Sequence, residues 1–276
     1  EVYDVIGCTD ASKYGTGGFL MHINGSEFHQ EFSHEEQLQS STWRELKGVL
    51  SLLKIHANTL KNRKVKLLTD NQAIQYVTKK GSTKPILQKL ALEVFLFCLN
   101  HNIDIKVQWI SRDFNEEADR LSKLRLADDW GINFRIFIFW TKKKFGPFTL
   151  DPLATNYTAK TKKFYSKFWC EGSSGVNGFS FSWDNEIVWC VPPITLLPQV
   201  LSKIRNSNCR GILIVPDWRS HYTRVLFFEN GTLPHGMKIQ LTYRHPRNFF
   251  VQSPSGNKVY TNLPFWSDVL VISFGI

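Results

Sequence analysis

The order of strand-like and helix-like segments in the first half of the chain restricts the fold more than any other feature. Short apolar or alternating runs predict strands at 2–9, 19–23, 27–32, 65–69 and 103–109. A glycine turn at 15–18 follows the first strand, and Asn24-Gly25 predicts a hairpin. Helical patterns follow the third strand, then begin at Asn71, at Pro85 and at Asn115, the last reaching about Leu126. This order predicts an α/β domain.

A second α/β domain is predicted beyond a boundary near 127–131. Helical patterns occupy 133–143, 195–206 and 219–228, and strand-like patterns occupy 147–151, 186–191, 211–216, 237–243 and 267–274. The alternation of helices and strands indicates a layered α/β structure. We therefore predict two domains, 1–127 and 132–276, because 276 residues are ample for two hydrophobic cores.

The same two halves of the chain differ in net charge. Residues 1–129 hold 17 Lys and Arg against 17 Asp and Glu, whereas residues 130–276 hold 17 against 7. The second half is therefore the better candidate for holding phosphates, although basic surfaces also occur on proteins that bind no nucleic acid. Five cysteines without CxxC spacing argue against a zinc site or a disulfide framework.

The chain has no apolar run long enough to span a bilayer, so no membrane partner is expected. It has no signal-peptide pattern and no initiator Met, and we interpret it as a piece of a larger polypeptide. An intracellular location, in the nucleus or the cytoplasm, is expected.

Four acidic residues stand at the ends of predicted elements. Asp10 and Asp70 end the first and fourth strands, Glu45 lies one turn into the first helix, and Asp119 lies in the last helix. Each has a structural alternative: a turn for Asp10, a capping box with Thr42 for Glu45, a helix N-cap for Asp70, and an ion pair with Lys123 for Asp119.

Together the four acids predict a metal site. Ligands of open α/β sheets gather at the carboxyl ends of the strands, where Asp10 and Asp70 lie. Acids clustered there repel one another unless a cation is present, and oxygen ligands suit Mg²⁺ or Mn²⁺. Two such ions about 4 Å apart activate water and stabilise the leaving oxygen of a phosphodiester.

The four segments that hold these acids resemble the motifs of the ribonuclease H family, in the family's order. They read TDAS at 9–12, WRE at 43–45, TDNQ at 69–72 and NEEADRLS at 115–122, closest to the variant found in retroelement reverse transcriptases. The resemblance implies a mixed five-stranded sheet with flanking helices over residues 1–127. It also implies two ions held by Asp10, Glu45, Asp70 and Asp119, with Asp10 bridging them.

By the same resemblance, the substrate is the RNA strand of an RNA/DNA hybrid, cut by water to leave a 5′-phosphate. An upstream reverse transcriptase domain in the same polypeptide is the implied partner. The nucleic-acid contacts that we assign are Ser12, Asn71, Gln72, Lys79, Lys80, Lys84 and Asn115.

The sequence departs from the cellular enzymes in two places. The loop at 111–119 lacks their mobile His, so slow turnover is expected. KKGSTK at 79–84 stands where they have a basic handle helix, so weak hybrid binding is expected. The three lysines could also form a solvated charge run.

The second half resembles the adenine methyltransferase-like domain that follows ribonuclease H in DIRS-type retroelements, those with a tyrosine recombinase. DPLATN at 151–156 resembles the segment that holds S-adenosylmethionine, and WCVPPI at 189–194 resembles the adenine-binding Pro-Pro segment. The second motif is degenerate, because Val191 cannot accept a hydrogen bond and Ile194 has no ring to stack on a base. A Rossmann-like fold without methyl transfer is expected, and S-adenosylmethionine is not an expected cofactor. The assigned motif residues are Asp151, Asn156, Val191, Pro192, Pro193 and Ile194.

Lysines lie close to aromatic residues at 140–145 and 160–169, a pattern that suits backbone contact with base stacking. Core aromatics beneath a solvated helix face explain it equally well.

For the whole chain, the favoured function is a two-metal hybrid nuclease of a retroelement or of a gene derived from one. The alternative is a domesticated nucleic-acid-binding or scaffolding protein without catalysis. A transposase or integrase fits poorly, since those proteins lack a glutamate in the first helix.

Overall fold

The structure is a computed structural model that describes residues 2–124, 130–218, 228, 233–252 and 264–275. The chain divides into two compact units. The first comprises Glu1–Arg125 with Phe168–Glu171, and the second comprises Leu126–Lys167 with Gly172–Ile276. No sequence pattern predicts that Phe168–Glu171 belongs to the first unit.

The first unit contains a mixed five-stranded sheet, as predicted. Its strands are β1 (Val5–Ala11), β2 (Gly15–Leu20), β3 (Phe28–Glu31), β4 (Lys64–Thr69) and β5 (Asp104–Trp109), in the order β3-β2-β1-β4-β5. The first three strands are antiparallel, whereas β1, β4 and β5 are parallel. The parallel strands therefore end at one edge of the sheet.

Six helices flank this sheet: α1 (His34–Gln37), α2 (Ser41–Ile55), α3 (Ala57–Leu60), α4 (Gln72–Lys80), α5 (Pro85–Asn100) and α6 (Glu116–Ser122). In α2, Leu46, Val49, Leu50 and Leu53 are completely or almost completely buried, as their helical spacing predicts. Each such side chain contributes about 1.5–3 kcal/mol on burial. The helix that presents Glu45 is thereby fixed to the sheet.

The predicted glycine turn at 15–18 is wrong, because these residues form most of β2. Gly17 pairs with Asp10 of β1, and a Cβ atom on Gly17 would lie 2.5 Å from the backbone carbon of Leu121. The glycine thus permits close approach of α6 to the sheet instead of a change of chain direction. The turn from β1 to β2 lies earlier, at 12–14, where the amide of Ser12 donates to the carbonyl oxygen of Gly15. The predicted Asn24-Gly25 turn lies between β2 and β3, and Gly25 has a φ of +73°.

The last helix of the first unit is shorter than predicted. It ends at Ser122 rather than at about Leu126, and Lys123 and Leu124 already lie beyond it. The side chain of Lys123 turns back to Asp119, and the hydroxyl of Ser122 donates to Asp10 of the sheet. Both contacts therefore lie at the C-terminal end of the helix.

The described residues of the second unit form eight strands and two α-helices. They are β6 (Trp130–Ile132), α7 (Phe134–Lys142), β7 (Leu150–Asp151), β8 (Lys163–Phe164), β9 (Ile187–Cys190), α8 (Leu197–Arg205), β10 (Arg210–Pro216), β11 (Met237–Tyr243), β12 (Phe250–Gln252) and β13 (Val269–Phe274). Six of the strands form one sheet in the order β11-β13-β10-β9-β7-β8, and β6 pairs with β12 in a second, two-stranded sheet. Strands β8, β7, β9 and β10 are parallel, and β13 and β11 are added antiparallel.

Most predicted elements of this unit lie where the sequence patterns place them. The strand predicted at 147–151 is shorter than predicted and begins at Leu150, although the amide of Thr149 already donates to the carbonyl oxygen of Ile187. Pro147 has no amide hydrogen to donate to a neighbouring strand. The helix predicted at 219–228 lies outside the described residues except at its last position. The five cysteines all lie within the described residues, form no disulfide and are buried. Within the part of the chain that the structure describes, no helix combines the length and the apolar character needed to cross a bilayer.

Candidate active site

Two parallel strands bring Asp10 and Asp70 to the same edge of the first sheet. β1 and β4 are direct neighbours, with Val5 opposite Val65 and Cys8 opposite Leu68. Asp10 lies near the end of β1, and Asp70 follows the last residue of β4. The convergence of the two side chains therefore follows from strand order and register.

Glu45 of α2 completes a group of three carboxylates. One oxygen of each of Asp10, Glu45 and Asp70 lies within 4.8 Å of the other two. Gly48 allows α2 to approach this closely, since a Cβ atom there would lie 2.5 Å from Oγ1 of Thr16. Glu45 and Gly48 are three residues apart and so lie on one face of the helix.

The structure excludes two of the structural alternatives for these acids. Ser40 caps α2, because its side chain accepts from the amide of Trp43, so Glu45 does not close a capping box with Thr42. Asn71 caps α4 by accepting from Ala73, so Asp70 is not the cap. The acids of the cluster are therefore not explained by helix capping.

Burial and mutual repulsion make this cluster electrostatically unfavourable without a cation. Burial, followed by the charges of Asp10 and Asp70, raises the pKa of Glu45 to about 9. The pKa of Asp10 is also raised, mainly by burial, against the hydrogen bond from Ser122. Oε2 of Glu45 is buried without a hydrogen-bond partner. A buried oxygen without a partner, beside two other carboxylates, fits a divalent cation with oxygen ligands.

The fourth predicted ligand, Asp119, is not within this group of three. Oδ1 of Asp119 lies 2.8 Å from Nη2 of Arg112, and Oδ2 lies 2.6 Å from Nζ of Lys123. The ion pair with Lys123 is therefore present, as the structural alternative predicted. Asp119 is nevertheless close enough for its charge to raise the pKa of Asp10.

Three residues that sequence analysis did not assign contact the acids. The Ser122 hydroxyl donates to Oδ2 of Asp10, Arg112 donates to Asp119, and Nε1 of Trp109 donates to the carbonyl oxygen of Asp70 at 3.0 Å. A signal for Ser122 existed, since it lies three residues after Asp119 on the same helical face. Arg112 and Trp109 carry no such spacing signal.

The residues predicted to contact nucleic acid have diverse environments. Gln72, Lys79, Lys80 and Lys84 are exposed. The Ser12 hydroxyl donates to the carbonyl oxygen of Ser122 at 2.7 Å, and Asn71 is the cap of α4. Asn115 is buried, and its Nδ2 donates to the carbonyl oxygen of Thr9 at 3.0 Å. It thereby links the start of α6 to β1.

In the second unit, the two motif segments lie at one edge of the six-stranded sheet. Asp151 ends β7 and Val191 follows β9, and these strands are parallel neighbours. Asp151 is buried and accepts from the amide of Lys160 at 3.1 Å. Pro192 and Ile194 are also buried, Pro193 is partly buried, and Asn156 is exposed. The edge therefore collects the predicted motif residues.

The predicted base stacking by aromatics near the lysines is wrong for three of them. Trp140, Phe164 and Tyr165 are buried, so their rings belong to the core of the second unit. Nζ of Lys163 pairs with Glu186 at 2.6 Å. Phe145 is only partly buried, so its ring can still contact a ligand.

The first unit thus has the sheet order of a mixed α/β domain and a carboxylate cluster at the ends of its parallel strands, the arrangement of a ribonuclease H-like fold. Residues 5–96 match a family model described as the RNase H-like domain found in reverse transcriptase. That segment includes Asp10, Glu45 and Asp70 and ends before Asp119. The first unit therefore contains an RNase H-like domain.

Solved structures similar to this chain include RNase H1 from the halophilic archaeon Halobacterium salinarum NRC-1, with 18% identity, a TM-score of 0.36, and coverage of 42% of this chain and 92% of that chain. The N-terminal RNase H domain of a Mycobacterium tuberculosis protein has 17% identity, a TM-score of 0.35, and coverage of 43% and 91%. A foamy viral protease-reverse transcriptase in complex with RNA/DNA hybrid has 12% identity, a TM-score of 0.33, and coverage of 43% and 19%. No curated protein sequence matches the chain.

Proposed function

We propose that the first unit hydrolyses the RNA strand of RNA/DNA hybrids with two divalent cations, Mg²⁺ or Mn²⁺. The observation that carries this proposal is the convergence of Asp10, Glu45 and Asp70 within 4.8 Å at the ends of two parallel strands. The unpartnered buried oxygen of Glu45 supports a cation at this place. The RNase H-like domain over residues 5–96 supports the reaction class.

The side chains of the site have distinct roles in this proposal. Asp10, Glu45 and Asp70 would hold the cations, and Asp119 would join them only if its ion pairs with Arg112 and Lys123 broke. When bound, the cations supply activation of water and stabilisation of the leaving oxygen. Ser122 fixes the orientation of the Asp10 carboxylate, and Trp109 fixes the backbone of Asp70. Exposed Gln72, Lys79, Lys80 and Lys84 contact the hybrid.

The wider context is also a proposal. We propose that the chain belongs to the reverse transcriptase polyprotein of a DIRS-type retroelement, or to a gene derived from one, downstream of a polymerase domain. The second unit is then a Rossmann-like, methyltransferase-like domain that has lost methyl transfer. The observation that supports this is the collection of Asp151, Val191 and Ile194 at one sheet edge, with apolar side chains where adenine recognition requires a polar group and a ring. Heat released on titration with S-adenosylmethionine, in calorimetry, would contradict the loss.

Cleavage of a labelled hybrid in Mg²⁺ or Mn²⁺ tests the nuclease proposal. The chain should cut only the RNA strand, and Asp70→Asn should abolish cutting. Asp104→Asn is the matched control, because Asp104 is an exposed aspartate at the other end of the parallel strands. Cleavage of the DNA strand, or equal activity in both variants, would contradict the proposal.

A non-catalytic role is the second candidate, and the ion pairs of Asp119 favour it. Arg112 and Lys123 occupy both oxygens of this carboxylate, so the four acids do not converge as a complete set. In that case the chain binds the hybrid in Mg²⁺ but leaves both strands intact. Binding without cleavage by the full chain would therefore support this second function.

A further inference from the structure

A cavity in the second unit has the composition of an anion site. Its volume is about 380 Å³, and it lies where β10 and β11 begin and β13 ends. This edge is opposite the one that collects Asp151 and Val191. It therefore coincides neither with the proposed nuclease site nor with the degenerate methyltransferase motif. Residues that line it include Lys144, Phe145, Arg210, Met237, Lys238 and Gln240.

Three cationic side chains line this cavity, and the described lining includes no Asp or Glu. Lys144, Arg210 and Lys238 come from three separate parts of the chain and are all exposed. Like charges that surround one cavity repel one another, so a bound anion would lower the electrostatic energy. The ordinary ligand of such a set is a phosphate, which arginine and lysine both bind.

The remaining wall suits a base rather than a bare phosphate. Phe145 and Met237 are partly buried and provide apolar surface beside the cations. The ring of Phe145 is held against Trp140, with 5.8 Å between the ring centroids. Nε2 of Gln240 donates to Oγ of Ser273 at 2.8 Å, which fixes a polar pair in the same wall. Cations next to an aromatic ring are the elements that bind single-stranded nucleic acids.

We propose that this cavity binds one nucleotide of a single-stranded nucleic acid, with the phosphate at Lys144, Arg210 and Lys238 and the base against Phe145. The volume is that of a small-ligand pocket, which admits one unstacked nucleotide but not a base-paired duplex. The charge excess of residues 130–276 favours approach of a polyanion. The proposal extends the idea of a nucleic-acid-binding second unit and does not depend on hybrid cleavage.

Fluorescence anisotropy with a 5′-fluorescein-labelled oligothymidylate tests this site. The full chain with Asp70→Asn is used in EDTA, so the strand is not cut and the nuclease proposal does not affect the result. The pocket variant combines Lys144→Ser, Arg210→Ser and Lys238→Ser. The matched control combines Lys142→Ser, Lys162→Ser and Arg205→Ser, three exposed cations of the same kinds that do not line the cavity.

The pocket variant should raise the Kd at least ~10-fold and reduce the slope of log K against log salt by about 0.7, as expected for the loss of one phosphate contact to a single strand. The control variant should raise the Kd less than ~3-fold, because its charges act only at long range. Equal losses in the two variants would overturn the proposal and assign binding to overall surface charge.

The base contact is tested separately with Phe145→Leu, which keeps apolar bulk but removes the ring. Binding should weaken about tenfold, the order expected for loss of one stacked base, while the melting temperature confirms folding. Thymidine monophosphate and inorganic phosphate serve as competitors. If thymidine monophosphate displaces the labelled strand at concentrations close to the Kd of the strand, the ligand is a free nucleotide. If it does not, the ligand is the single strand. Unchanged binding by Phe145→Leu, with phosphate competing as well as the nucleotide, would overturn the nucleotide assignment.

Discussion

Glu45 is the most constrained acid of the site, because it is buried beside two other carboxylates. Its ionised form is unfavourable there, which is why its pKa is raised to about 9. A cation bound by all three carboxylates reverses the preference of Glu45 for its protonated form, because the positive charge favours ionised carboxylates. Metal binding and folding stability should therefore be coupled at this residue.

The first prediction concerns that coupling. Mg²⁺ should raise the melting temperature of the EDTA-treated chain by several degrees, because a ligand that binds only the native state stabilises it. Glu45→Gln should remove most of this increase. Without cation at neutral pH it should be at least as stable as the parent, because the raised pKa makes Glu45 take up a proton on folding, and the amide avoids that cost. Glu93→Gln, at an exposed position of α5, is the control for thermal melts with and without MgCl₂. An equal Mg²⁺ response in Glu45→Gln would remove Glu45 from the ligand set.

The second prediction concerns Arg112, whose guanidinium pairs with Asp119 and whose charge also reaches Asp70 and Asp10. A positive charge near the acids opposes cation binding. Arg112→Ala should therefore lower the Mg²⁺ concentration for half-maximal cleavage by roughly threefold to tenfold, the size expected for one unit charge near a surface site. Cleavage rates measured across an Mg²⁺ series test this.

Arg120→Ala is the control for Arg112→Ala, because Arg120 is an exposed arginine of the same region that pairs with Glu117 instead. It should leave the Mg²⁺ dependence unchanged. A higher Mg²⁺ requirement in Arg112→Ala would show that Arg112 assists the site rather than competing with the cation.

The difference between Asp70 and Asp119 shows which part of the site the sequence can specify. Asp10 lies near the end of β1 and Asp70 directly follows β4, and the strand pattern alone predicts that parallel strands bring them to one edge. Asp119 lies on a helix whose position depends on packing against β2, and its side chain is held by Arg112 from the preceding loop. Loop geometry leaves no periodic signal, so this ion pair was not predictable from the residues.

At the scale of elements, the close packing of α6 on β2 positions the Ser122 and Asp119 side chains. The glycines of β2 leave room for the backbone of α6, which is why this run belongs in a strand and not in the turn that its composition favours. Local propensity predicted the turn, and a contact more than one hundred residues away along the chain determined the strand. Single-sequence patterns do not contain that contact.

The third prediction follows from this packing. Gly17→Ala should destabilise the first unit by about 1–3 kcal/mol, the usual range for forcing extra atoms into a packed interface. Cleavage should fall as well, because α6 must move and takes Ser122 away from Asp10. Gly25→Asn is the control, since a Cβ atom there meets no atom within 4 Å and Asn tolerates positive φ. Chemical denaturation and hybrid cleavage measure both effects, and full activity in a stable Gly17→Ala variant would contradict the role of the close approach.

At the scale of the whole molecule, the sequence patterns predict two parts but not the path of the chain through them. The charge change near residue 130 and the repeated α/β pattern both indicate two parts. Neither indicates that Phe168–Glu171 lies in the first unit, where Nε1 of Trp169 donates to the carbonyl oxygen of Gly25 at 3.0 Å and Phe168 packs against His29. A segment of four residues is too short for a periodic pattern, so only the folded structure identifies it.

Acid sensitivity of the first unit provides the last prediction, through two buried histidines. Burial lowers the pKa of His29 and of His56 below the usual value. Nδ1 of His29 donates to the carbonyl oxygen of Leu121 at 2.7 Å, and Nε2 of each histidine is buried without a partner. A lowered pKa means that the unfolded chain takes up protons first, so stability from these groups is complete above about pH 6.5 and is lost as pH falls through the lowered pKa.

The melting temperature of the first unit should therefore fall between pH 7.5 and pH 5, and less steeply when His29→Asn and His56→Asn are combined. Asparagine keeps an N–H donor near the position of Nδ1 but does not titrate. His22→Asn, at an exposed position with positive φ, should retain the steep dependence of the parent. Because His29 bonds to the last turn of α6, protonation should weaken the docking of the helix that carries Asp119 and Ser122. Identical pH profiles in the parent and the double variant would show that other groups control the acid response.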